Sequence, residues 1–317
     1  MRIASVLHDG TERVAVVVED QAVLLPIGTE VVDVLAAEEA ERSALLLAAT
    51  HSVPLSSVSL LPPLRPTTLR DFMTFEQHLA GAIRWVNPGA EIAPVWYEAP
   101  CFYFTNPLAV VGGGEPVEFP PGCETLDFEL ELAVVLKKGG RNLSVAEAAD
   151  CIGGYTILND WSARDIQSRE MKIGLGPVKG KDFASTLGPW IVTADELAPY
   201  VRDDRLDVQM SVSINEVVVG QDTAAHMAWS FAEMIAYASR GAVVEAGDVL
   251  GSGTCGGGCL AELWGWAGRQ EPAPLRPGDV VTLEIEGIGR INNPLAPAVP
   301  AQPVPSARRF AEGVRLA

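Results

Sequence analysis

The stretch Leu126-Asp127-Phe128-Glu129-Leu130-Glu131-Leu132-Ala133-Val134-Val135-Leu136 alternates acidic and apolar residues before becoming wholly apolar. Period-2 spacing predicts a β-strand with Asp127, Glu129 and Glu131 on one face and Phe128, Leu130 and Leu132 on the other. A second probable strand, GGYTILND, ends in a further carboxylate, Asp160. The residues alone leave two readings open. Polar-out alternation is the ordinary mark of a solvated sheet face. If the acids are instead gathered and buried, repulsion and desolvation require a cation between them, and oxygen-only ligands suit magnesium (Mg2+), Mn2+ or Ca2+ rather than zinc.

Outward from this stretch, short strands dominate. RIASVL, VAVVV and AVLLP, with a helix around Val34 to Ala49, make residues 1–61 a small β-rich unit. Pro62, Pro63 and Pro66 form a stiff connector, which sets the boundary of a larger unit at 62–296. Phe75, Leu79, Ala82 and Ile83 follow helical spacing, predicting a helix from Thr74 to Trp85, and Pro94 to Pro107 reads as aromatic-rich and irregular. Ser144 with Glu147 and Ser230 with Glu233 are capping-box pairs that open two further helices. TLGPWIV, DVQMSVSIN, VVVG, DVLGSG and DVVTLEIEG read as strands, and residues 297–317 as a Pro/Ala-rich tail. Few long helices among many strands predict a β-rich α+β body, against a doubly wound sheet.

Gly251-Ser252-Gly253-Thr254-Cys255-Gly256 fits the dinucleotide fingerprint, yet Gly257 and Gly258 follow at once and no long amphipathic helix is evident after them. A mobile glycine loop is expected there, with no dinucleotide.

Forty-one acidic against twenty-three basic residues give a formal charge of −18, which repels a phosphate backbone, so no nucleic-acid partner is expected. No apolar run reaches membrane-spanning length and MRIASVLHDG lacks the features of a signal peptide, so a cytoplasmic protein without membrane contact is expected. Five cysteines, Cys101, Cys123, Cys151, Cys255 and Cys259, are an odd number in a long chain and read as reduced thiols. Cys255 and Cys259 lack a second Cys or His pair nearby, His226 being the nearest histidine in sequence, so structural zinc is not expected.

LDFELELAVVL, NDWSARDIQ, LGPVKGKDF, VLGSGT and LRPGDVVTLEIEGIG occur in that order, and together they resemble the fumarylacetoacetate hydrolase superfamily over roughly residues 66 to 296. The resemblance implies a mixed β-roll around a divalent cation, a small N-terminal β-rich domain and a homodimer. It places metal carboxylates on Glu129, Glu131, Asp160 and Asp71, a catalytic base on His78 and its orienting acid on Glu262. Arg164, Gln167 and Lys181 fall on positions that hold the reacting carbonyl oxygen. The implied activity is divalent-metal-dependent cleavage of a carbon–carbon bond in a 2,4-dioxo acid. Isomerisation, decarboxylation or hydration of a 2-oxo acid through a metal-held enolate is the alternative, and a non-catalytic ligand-binding protein a remote one.

These roles also have independent physical grounds. Four carboxylates around a dication leave about two negative charges in excess, which neighbouring cations must balance, and those cations can also stabilise an oxyanion. A carboxylate on one ring nitrogen of histidine fixes the tautomer and frees the other nitrogen to take a proton from water. Two departures are informative. Gly81 stands where compact members that pair a histidine with a glutamate three residues later would carry an acid, which favours the His78–Glu262 arrangement. Thr105 in CFYFTNP stands where many members carry a lysine.

Overall fold

The expected strand over 126–136 forms in two pieces. Leu126–Asp127 pairs antiparallel with Ser162–Ala163, whereas Leu130–Leu136 runs through a 12-stranded sheet, leaving Phe128 and Glu129 between them outside the ladder. The computed structural model describes residues 1–49 and 51–308. Every residue of Leu130–Leu136 is buried. Its even-numbered residues enter the main core with Trp161, Val212 and Leu283, and Ala133 and Val135 enter a second core with Ile3, Leu69 and Ile191. The alternation therefore separates two packed faces, and the solvated-face reading is overturned: Asp127, Glu131 and Asp160 are 0% exposed and Glu129 is 5% exposed.

In spatial order the principal strands of the large sheet are His51–Pro54, Gln21–Leu24, Thr11–Val18, Arg2–His8, Ser185–Thr193, Ile152–Asp160, Leu130–Leu136, Val249–Gly251, Leu69–Phe72 and Phe102–Thr105. The N-terminal strands thus extend the sheet that carries the acids, with Arg2 opposite Val192 and Ile3 opposite Ile191. A five-stranded sheet, ordered Val217–Thr223, Gln209–Ile214, Val280–Ile285, Gly289–Ala296 and Val117–Glu118, supplies Met210, Val212, Leu283 and Ile285 to the main core. This is a β-rich α+β architecture.

Most expected elements form, including both capping boxes, at Ser144–Glu147 and Ser230–Glu233. The helix expected over 34–49 is split into Val31–Ala36 and Glu39–Leu47, because Glu38 caps the second piece reciprocally with Glu41. Part of the segment expected to be irregular is a strand: Phe102–Thr105 pairs with Leu69–Phe72, and Phe102 stacks on Phe72 with centroids 4.9 Å apart. Residues 297–308 of the expected tail have no regular structure, and 309–317 lie outside the described residues. No helix among the described residues is long and apolar enough to cross a membrane.

The glycine stretch differs most from expectation. Residues 251–258 are buried throughout, and the eight-residue helix Leu260–Ala267 follows. A mobile surface loop is excluded by that burial and by the backbone bonds from Leu130 N–H to Gly258 O (3.0 Å) and from Cys255 N–H to Leu130 O (3.0 Å).

Candidate metal centre

Four adjoining strands bring the carboxylates together. Asp71 lies opposite Gly251 on a parallel neighbour and opposite Tyr103 on an antiparallel one, and Gly251 lies opposite Ala133, two residues beyond Glu131. Gly251 is required at this point, since a Cβ there would stand 2.6 Å from a Glu131 oxygen and 3.2 Å from an Asp71 oxygen. Oxygens of Asp71, Glu129 and Glu131 converge to within 4.8 Å of one another, all buried. Asp160 joins them through two shared partners, the Tyr103 hydroxyl, which contacts Asp160 and lies 2.6 Å from Asp71, and the Lys181 ammonium, which donates to Asp160 (2.6 Å) and also contacts Glu129.

The cations are arranged on one side. Arg164 Nη2 lies 2.8 Å from both Asp127 and Glu129, and Lys181 bridges Glu129 and Asp160. Burial pushes the Glu129 carboxyl up, but Lys181, Arg164 and His78 outweigh it and hold the group at about 2. Asp71 and Glu131 go the other way. Burial, and then the repulsion of neighbouring carboxylates, raises both well above the usual range. Burial lowers Lys181 and Arg164 while their carboxylate partners raise them, and the net shift is upward for both, so both stay charged. Asp71 Oδ1, Glu131 Oε1 and Asp160 Oδ1 are buried without a hydrogen-bond partner. Three unpartnered carboxylate oxygens and an oxygen-only donor set fit a hard divalent cation.

His78 sits near the start of the helix Glu76–Val86, its Nδ1 3.4 Å from Glu262 Oε2 on the helix Leu260–Ala267. Glu262 is fixed by the Gly257 N–H (2.8 Å) and Trp266 Nε1 (3.1 Å). Burial raises its carboxyl, yet the histidine and these donors together hold it below the usual range. The two helices meet through glycines. A Cβ on Gly81 would come within 2.4 Å of Glu262 Cγ, and one on Gly265 within 1.9 Å of the Gly81 carbonyl. Gly81 thus stands where it does because Glu262 fills the space a side chain would take.

All nine expected site residues fall in this region, with Gln167 one step removed, accepting from Arg164 Nη1 at 3.1 Å. Thr105 does not occupy a lysine's place with another charge; its hydroxyl donates to the Lys181 carbonyl at 3.3 Å. Sequence reasoning missed three residues. Tyr103 bridges two of the acids, and only its register opposite Asp71 would have pointed to it. Cys259 caps the Glu262 helix and lies 3.7 Å from His78 Nδ1, so the histidine beside it is not the sequence-near His226, which pairs with Asp222. Burial and the neighbouring Asp127 push the Cys259 thiol up. Asp127, turned aside by the break after it, accepts from Phe128, Leu260 and Ala261 N–H (2.8, 2.8 and 2.9 Å) and from Arg164 Nε (2.9 Å). It neutralises the helix N-terminus to which a dinucleotide phosphate would have to bind.

The model of the family described as fumarylacetoacetate (FAA) hydrolase C-terminal matches residues 68–296. The chain belongs to the fumarylacetoacetate hydrolase family. Among relatives of this fumarylacetoacetate hydrolase-family chain, a fumarylacetoacetase of Dictyostelium discoideum is 31% identical over 270 residues, a match that spans 69% of the chain but only 62% of that relative. An uncharacterized protein of Archaeoglobus fulgidus is 29% identical over 77% of the chain and 84% of its own length. The fold is shared with a fumarylacetoacetate hydrolase from Exiguobacterium antarcticum (TM-score 0.71, 24% identity, 94% of this chain and 99% of that one). It is also shared with a 5-carboxymethyl-2-hydroxymuconate delta-isomerase from Mycobacterium smegmatis (TM-score 0.68, 23% identity, 94% and 100%). Proteins of this fold therefore include both a hydrolase and an isomerase.

Proposed function

We propose that this protein is a metal-dependent hydrolase that cleaves a carbon–carbon bond in a 2,4-dioxo acid of the acylpyruvate type. The observation that carries the proposal is the buried His78–Glu262 pair set beside the carboxylate cluster, with His78, Arg164 and Lys181 all acting on Glu129. Asp71, Glu129, Glu131 and Asp160 would hold the cation, proposed as Mg2+, which supplies Lewis-acid polarisation of the substrate's two carbonyl oxygens. A maleylpyruvate hydrolase from Sphingobium of the same fold has been solved in complex with manganese (II) ion and pyruvate, which supports the reading that a divalent cation belongs here.

Glu262 accepts the Nδ1 proton of His78 and so leaves Nε2 as the acceptor for a proton from water. Arg164, held by Asp127 and positioned with Gln167, and Lys181 would place two fixed positive charges where charge develops on the attacked oxygen. Isomerisation would need a proton moved between carbons, and an acid at position 81 beside His78 is absent. Family membership also supports a homodimer, which sedimentation equilibrium reads directly.

The test is proton NMR of an acylpyruvate with Mg2+. Pyruvate and the free acyl acid are expected from wild type, with His78→Ala slower by roughly a hundredfold or more and substrate affinity largely kept. A rearranged or decarboxylated product with its acyl chain unbroken would end the proposal.

A further inference from the structure

His78, Cys259 and Glu262 converge although 181 residues separate the histidine from the cysteine. Nδ1 lies 3.4 Å from Glu262 Oε2 and 3.7 Å from Cys259 Sγ, and the three ligand atoms all lie within 4.8 Å of one another, fully buried. We propose that these three side chains form a second metal site, selective for a thiophilic divalent cation such as Zn2+, whose filling switches off the catalytic base. The inhibitory part rests on the reading of His78 as that base.

The distances come close to those of tetrahedral zinc. Bonds of about 2.0–2.2 Å to nitrogen and oxygen and about 2.3 Å to sulfur set neighbouring ligands roughly 3.3–3.6 Å apart. The nitrogen–carboxylate separation of 3.4 Å lies at that spacing, and the nitrogen–sulfur separation of 3.7 Å closes to it with a shift of about 0.1–0.2 Å. Outer contacts already aim the ligands: Gly257 N–H and Trp266 Nε1 hold the Glu262 carboxylate, and the Glu262 N–H reaches the Cys259 sulfur at 3.4 Å. The fourth position would be left to water, as in a three-ligand zinc site.

Two sites lying side by side would then sort metals by ligand chemistry. Asp71, Glu129, Glu131 and Asp160 offer only oxygen, which suits Mg2+, whereas imidazole, thiolate and one carboxylate favour Zn2+. The balance of the inhibitory step is simple. Zinc replaces the thiol proton of Cys259, which leaves to solvent, and coordination through Nδ1 transfers the single imidazole proton to Nε2. The nitrogen that must accept a proton from water then carries one, and Glu262 is occupied by the metal.

The experiment uses the full chain with saturating Mg2+, titrated with Co2+ as a spectroscopic probe and then with Zn2+, while turnover is followed in parallel. Wild type should develop thiolate-to-cobalt charge-transfer absorption in the near ultraviolet that Zn2+ abolishes. Cys259→Ser, or Cys259→Ala if the serine variant does not fold, should lack the band and bind Zn2+ at least tenfold more weakly while still binding Mg2+ by calorimetry. The band should persist in a Cys101→Ser/Cys123→Ser double variant, which removes the two thiols that are not buried. No band in wild type, or a band kept without Cys259, overturns the site. A band with turnover indifferent to Zn2+ overturns the inhibition and the reading of His78 as base, and leaves the metal site standing.

Discussion

Replacing Asp127 by Asn tests how much of the centre depends on a residue that would touch neither metal nor substrate. In wild type Oδ1 accepts from Phe128 and Leu260 N–H and Oδ2 from Ala261 N–H and Arg164 Nε, and the side chain is wholly buried. Asparagine keeps the shape and can keep the Oδ1 bonds. Its amide nitrogen, however, would face two donors, Ala261 N–H and the Arg164 guanidinium. The change therefore removes a helix-terminus bond and half of the buried charge that balances Arg164. Breaking a buried pair from one side costs about 3–5 kcal/mol, and because Glu129 remains 2.8 Å from Arg164 the lower end, about 3 kcal/mol, is expected. Loss of that size is a large share of the roughly 5–15 kcal/mol that holds a domain folded. Urea unfolding monitored by circular dichroism measures it, and Mg2+ calorimetry should show weakened binding, since Arg164 would press harder on Glu129. Unfolding free energies within about 0.5 kcal/mol of wild type, the range of a neutral surface change, would refute the reasoning.

Glu131→Gln should weaken Mg2+ binding at least tenfold in calorimetry, because one of the three unpartnered oxygens belongs to this side chain; equal affinities would remove it from the ligand set. Gly81→Ala should cost about 1–3 kcal/mol and lower kcat, since its Cβ would meet Glu262 Cγ at 2.4 Å and push the acid off His78; unchanged kcat would show that the helices part freely. Asp71 and Glu131 are raised in the folded protein, so the stability they contribute is full below their unfolded values near about 4 and is lost as pH rises through the raised ones. Glu129, lowered to about 2, acts oppositely and loses its contribution as pH falls below the usual range. In chelator, Tm should therefore decline as pH is raised above the ordinary carboxylate range, the decline should be smaller in Glu131→Gln, and Mg2+ should reverse it. A chelated wild type whose decline matches that of the variant would contradict the assignment.

How much of this was legible in the sequence depends on which interaction fixed each residue. The period-2 reading gave the two faces of Leu130–Leu136 correctly, because period 2 is a property of the backbone, but not the break at Phe128 and Glu129. It did not give burial, since a solvated face and a metal-lined face read the same until the neighbouring strands are known. Asp127 shared the alternation but not the fate of Glu129, because the ladder breaks at Phe128 and sends it to the helix at Leu260. Tyr103 was hidden inside an aromatic run whose strand pairing is long-range. The glycines of 251–258 looked flexible because composition reports permitted conformations, whereas here all but Gly257 are demanded by close approach: a Cβ on Gly253 would lie 2.5 Å from the Phe72 carbonyl.

The electrostatic balance ties the strand register to the chemistry. Five buried carboxylates, Asp71, Asp127, Glu129, Glu131 and Asp160, face two cations, the buried Lys181 and the partly buried Arg164. The helix N-terminus at Leu260 offers Asp127 roughly half a positive charge more. With all five ionised, about two and a half negative charges would be left, concentrated where the unpartnered oxygens of Asp71, Glu131 and Asp160 lie, and this excess is what raises Asp71 and Glu131 until a cation replaces their protons. A single monovalent cation would leave most of that excess in a low-dielectric interior, whereas a dication brings the cluster close to neutrality. The same arithmetic accounts for the side on which the cations stand. Arg164 and Lys181 pair with Glu129 and Asp160, whereas no ion pair is formed by Asp71 or Glu131 among the described residues, so a cation held there would complete the balance at the edge the side chains leave uncompensated. The two fixed charges would then be free to meet negative charge developing on a bound carbonyl oxygen, beside a metal that polarises it.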